Sequence, residues 1–95
     1  MKKAEDILFL PFNNTAREYG YIMWRKKHDS EVKAFFGKKD FIDIHFDNAI
    51  QKKKRIDWHR RRIAITYTLT RSISGSATKI KIERCGKGKI NVFFK

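Results

Sequence analysis

Spaced by its apolar positions, the chain alternates between a period of two and one short stretch of helical spacing. Ile7 to Phe12 is an apolar run closed by Pro11 and the turn-forming Asn13-Asn14 pair, and it predicts a first strand. Tyr19 to Arg25 (YGYIMWR) predicts a second, with Gly20 marking a bulge between two tyrosines. The grammar then changes at HDSEVKAFFG. Asp29 or Ser30 can cap, Val32, Phe35 and Phe36 share one face, and Gly37 can terminate. This predicts a helix of about two turns, stable only when packed.

The period of two returns in FIDIHFD, with Ile42, Ile44 and Phe46 on one side and Asp43, His45 and Asp47 on the other. Ile63, Ile65, Tyr67 and Leu69 alternate with Ala64, Thr66, Thr68 and Thr70, a further strand. Ile80 and Ile82 run into CGKGK, whose Gly86 and Gly88 allow positive φ, and Ile90, Val92 and Phe94 lead back as a hairpin. Between these elements, residues 48–62 place Ala49, Ile50, Ile56 and Trp58 on no helical stripe. As a strand, Ile50, Ile56 and Trp58 have even parity, whereas the apolar residues from Ile63 are odd. Parity cannot switch without a turn or bulge, so the break falls at Trp58–Arg61.

The element order is β-β-α-β-β-β-β-β. The expected fold class is α+β: a small β-rich single domain spanning residues 1–95, with one short helix and a twisted antiparallel sheet, barrel-like in the OB or SH3 manner. Composition agrees with a folded chain, because eight phenylalanines and two tryptophans provide large faces to bury. Cys85 is the one cysteine, so neither an internal disulfide nor a cysteine-based zinc site is expected. The apolar run at Ile7–Leu10 follows Glu5 and Asp6 and is too short for a signal core or membrane span. The expected location is the cytoplasm, with no membrane partner.

Charge changes the picture most. Residues 1–47 hold nine Lys/Arg against eight Asp/Glu, a net of +1, while residues 48–95 hold fourteen against two, a net of +12. So lopsided a surplus repels itself unless an anion is present, and a polyanion is the simplest partner. The cationic run QKKKRIDWHRRR supplies Lys52, Lys53, Lys54 and Arg55 before the break and His59, Arg60, Arg61 and Arg62 after it. Trp58 is a candidate stacking plane between them. In the last hairpin, Lys79, Lys81, Lys87 and Lys89 are expected on one face with Asn91 and Phe93. Such runs also serve as solvated turns, as edge strands kept apart by lysine, or as nuclear-localisation signals.

Other chemistry is weaker. Asp43, His45 and Asp47 could suggest a metal, yet alternate strand residues stand nearly 7 Å apart and converge poorly on one ion. His28, His45 and His59 could act as acids or bases on RNA, but neither Glu18 nor Glu31 can be placed beside them from sequence. No P-loop, dinucleotide fingerprint, nucleophile elbow or helix-turn-helix signal is present. No cofactor, metal or catalytic residue is expected.

The expectation is a small, basic, non-catalytic protein that binds nucleic acid, DNA or RNA, through phosphate-backbone contacts. Two other classes stay open. One is a small toxin-like RNase. The other is a mobile-element or phage protein–protein module docking on an acidic or ribonucleoprotein partner. Unpaired edge strands in so small a domain also make a homodimer a candidate.

Overall fold

A computed structural model of the chain describes residues 6–46, 49–65 and 76–95. Among these residues seven strands form one sheet: β1 (Ile7–Pro11), β2 (Tyr21–Met23), β3 (Phe41–His45), β4 (Ile50–Asp57), β5 (Arg62–Ala64), β6 (Lys79–Gly86) and β7 (Lys89–Phe94). Their spatial order is β1-β6-β7-β3-β4-β5-β2, and the sheet curls until it is nearly closed into a barrel. The β-rich fold class expected from the alternation is the observed one. Tyr67, Leu69 and the alternating Thr66, Thr68 and Thr70 lie outside the described residues, as does Asp47.

Three local details differ from expectation. The sheet is mixed, because β3 pairs with β7 in parallel while the other neighbours are antiparallel. A second short helix, α1 (Asn14–Tyr19), follows β1. Asn13 does not simply turn the chain: its side chain accepts the Ala16 N–H at 2.8 Å and caps α1. Gly20 ends that helix in the left-handed region at φ 75°, so it is a C-cap and not a bulge. Helix α2 (Asp29–Phe36) forms where expected, but its N-cap is His28, which makes no side-chain capping bond. The Asp29 carboxylate is used elsewhere.

The strands' apolar parity fills the interior. Leu8 and Leu10 of β1, Ile42 and Ile44 of β3, Ile80 and Ile82 of β6, and Ile90 and Val92 of β7 are all buried. Val32, Phe35 and Phe36 of α2 join the same cluster as Ile22, Ile56, Ile63 and Ile65. Pro11 at the end of edge strand β1 and Met23 at the end of edge strand β2 line one cleft of about 320 Å³ together with Phe12 and Trp24. Among the described residues, no helix is long and apolar enough to cross a membrane.

Candidate nucleic-acid interface

The basic run folds as strand, turn and strand. Strands β4 and β5 pair Ile56 with Ile63 and Asp57 with Arg62, leaving Trp58–Arg61 as the turn, as the parity switch required. Asp57 shapes it by accepting the Arg60 N–H at 3.0 Å. Arg61 sits at φ 56° there, a left-handed conformation that costs a side-chain-bearing residue about 1–2 kcal/mol. Its guanidinium holds the turn down, with Nε donating to both Asp29 carboxylate oxygens at 3.0 Å. The Trp24 indole N–H donates to the same carboxylate at 2.9 Å. The Arg61 hydrogen bond is the main reason that the Asp29 carboxyl stays below its ordinary pKa. Partial desolvation opposes it, and Trp24 adds to it. Asp57 is lowered likewise, chiefly by the Arg60 backbone N–H, with desolvation opposing and the charges of Arg60, Arg62 and Arg55 assisting.

A second parity switch lies inside β4. The register against β3 runs Phe41–Arg55 and Ile42–Lys54, then Ile44–Gln51 and His45–Ile50, so Lys52 and Lys53 together oppose Asp43. This is a β-bulge. Lys53 takes φ 53°, and its N–H donates to the Asp43 carboxylate at 2.9 Å. The bulge turns Ile50 outward, where it is 58% exposed, while Ile56 points inward and is buried. It also presents Lys52 and Lys53 on the outer surface, both exposed.

The parallel β3–β7 pair brings the last hairpin alongside. Lys89 pairs with Asp43, which faces the Lys52–Lys53 bulge on its other side, so these lysines occupy one row across three adjacent strands, a span of about 10 Å. Lys87 and Gly88 form the hairpin turn, Gly88 at φ 72°, and the Gly88 carbonyl accepts the Asp43 N–H at 2.9 Å. Next along β3, Phe41 is 58% exposed and cross-strand from the exposed Arg55. Cations and one free aromatic edge therefore meet at this end of the sheet.

The other residues expected to bind are placed differently. Lys54 opposes Ile42 and is half-buried. His59 and Arg60 are exposed on the turn, Arg61 is committed to Asp29, and Arg62 lies 4.4 Å over the Tyr21 ring. Trp58 is not a free plane. Its ring packs edge-on against Trp24 at 5.8 Å and Phe36 at 6.4 Å, and its N–H donates to the Lys39 carbonyl at 3.0 Å. Lys81 does share the outer face with Phe93, with Phe9 on its other side, but it pairs with Glu83 at 2.9 Å. Lys79 stands 6.0 Å over the Phe9 ring. Lys79 and Lys81 on β6 are thus three strands away from the Lys52–Lys53 bulge on β4, and the hairpin's lysines divide between two places.

Three contributors escaped the sequence reading. Phe41 read only as the start of a strand. Lys39 and Arg84 both line a cleft beside the hairpin turn. Lys39 follows the helix terminator Gly37, a placement that offered a signal; Arg84 offered one as well, because it continues the inward parity of Ile80 and Ile82 and pairs with the buried Ile90 before the register shifts at Cys85. Asp43 organises the bulge, and no group of three His, Cys, Asp or Glu is placed to share a metal among the described residues. The three histidines sit on separate elements: before α2, at the end of β3 and in the β4–β5 turn. Compared with protein-family models, with curated proteins and with solved structures, the chain matches none, so its site stands on its own geometry.

Proposed function

We propose that the protein binds nucleic acid through the outer surface where β7, β3 and β4 adjoin. The backbone phosphates lie on Lys52, Lys53, Arg55, Lys87 and Lys89, and a base stacks on Phe41. The observation that carries this reading is the shared row of Lys89 and the Lys52–Lys53 bulge, in which the single acid, Asp43, is already engaged with a backbone N–H. Cations interleaved with an exposed aromatic suit a phosphate-and-base polymer better than an acidic protein surface. In this reading the protein needs no cofactor or metal and works in the cytoplasm, where nucleic acid and a free Cys85 thiol coexist.

Five phosphate contacts predict a slope of log affinity against log salt of roughly −3 to −5. Fluorescence anisotropy of labelled single-stranded RNA, single-stranded DNA and duplex DNA across a salt series measures it. Absence of binding at low salt, or affinity indifferent to salt, refutes the proposal. Reversal of Lys52 and Lys89 to glutamate is expected to weaken binding strongly while leaving the fold intact, since both side chains are exposed.

A further inference from the structure

At the end of the barrel where β3 begins, a cleft of about 370 Å³ opens between the end of α2 and the β6–β7 turn. Phe35, Phe36, Ile42 and Ile90 contribute its apolar surfaces. Lys39, Arg84, Lys87 and Lys89 supply the charge, against the one carboxylate of Asp6, which is held by Arg84 at 2.7 Å. Arg84 is fixed on three sides. Its guanidinium lies 4.7 Å over the Phe35 ring, one nitrogen donates to Asp6, and another donates to the Phe35 carbonyl. It still keeps 36% of its side chain exposed in the cleft wall. The turn that forms the opposite wall is anchored through the Gly88 carbonyl to β3, so the cleft borders the lysine row directly.

Resting on the nucleic-acid reading, we infer that this cleft takes one unpaired nucleotide of a single strand. The base enters against the exposed part of the pinned Arg84 in the cleft wall, and its phosphates stay on the lysine rim. The volume is of the size that encloses a small planar ligand. A guanidinium held in place and partly exposed in a cleft wall can meet a base by stacking or by hydrogen bonds to its edge. A base in a duplex cannot reach such a site without leaving its stack, so the cleft makes the protein prefer single strands.

Cys85, the one cysteine of the chain, is exposed and lines this cleft, which makes its thiol a built-in reporter. The test measures its alkylation rate by iodoacetamide, a neutral reagent, with the unmodified protein. Three ligands of equal length are compared: oligothymidylate, its abasic analogue and a duplex. Each is held at saturation as judged separately by anisotropy. Oligothymidylate is expected to slow alkylation about tenfold, in keeping with the loss or gain of one stacked base, and the abasic strand and duplex less than about twofold. Lys87→Glu is expected to abolish the protection. Equal protection by all three ligands, or none by a strand that anisotropy shows to be bound, overturns the cleft assignment and leaves the surface reading standing. Absence of any anisotropy change overturns both.

Discussion

Replacing Trp58 by alanine separates packing from binding at the centre of the basic run. Trp58 is half-buried against the core, with edge-to-face neighbours Trp24 at 5.8 Å and Phe36 at 6.4 Å and an N–H bond to Lys39. Each ring pair contributes about 0.5–1.5 kcal/mol beyond its area, and a partly solvated hydrogen bond about 0.5–1 kcal/mol. A fully buried aromatic truncated to alanine costs about 3–5 kcal/mol, so the half-buried Trp58 should cost about 2–3 kcal/mol. For 95 residues this lowers Tm by about 10–15 °C. Urea titration at 25 °C and a calorimetric scan measure it. Trp58→Phe, which keeps a ring but loses the N–H, should lose less than half as much. Affinity measured on the folded variant at low temperature should change by less than about threefold, because the indole is spent on packing. A lost base stack would instead weaken binding by roughly five- to 150-fold. Unaltered stability, or an intact fold with affinity down tenfold, refutes the packing assignment.

Lys53→Val should destabilise by about 1–2 kcal/mol, because a β-branched residue resists φ 53°, whereas Lys53→Gly should stay within about 1 kcal/mol of the parent; urea midpoints decide. On the proposed nucleic-acid reading both substitutions remove one phosphate contact and should reduce the salt slope by about one unit in anisotropy titrations. Asp29 and Asp57 have lowered carboxyl pKa values in the fold, so the unfolded chain binds their protons more readily. Their contribution is complete above the ordinary carboxylate pKa and is lost as pH falls below about 4. Arg61→Gln, which removes the largest cause at Asp29, should move the acid-unfolding midpoint seen by circular dichroism to higher pH, and an unmoved midpoint refutes the linkage. Phe41→Ala should leave the melting temperature nearly unchanged, because the ring is 58% exposed, yet weaken single-strand affinity at least fivefold in the same anisotropy assay.

Alternation alone determined much of this protein. A period of two is a local property of the backbone, and it located the β3 and hairpin interiors at Ile42, Ile44, Ile80, Ile82, Ile90 and Val92. The switch in parity after Trp58 located the β4–β5 turn, and Val32, Phe35 and Phe36 located the buried face of α2. The α1 helix was hidden because its sequence, NTAREY, buries only Ala16 and carries no apolar stripe; Asn13 and Gly20 mark its ends only through their cap geometry. Which cations meet was a different kind of question. Lys89 and Lys52 are far apart in sequence, and their common row depends on a parallel β3–β7 pair and on a bulge held by Asp43, both products of non-local hydrogen bonds. Charge density could be read along the chain. Tertiary pairing alone decided that Arg61 and Trp58 serve the fold, that Phe41 stands free, and that Arg84 borders a cleft.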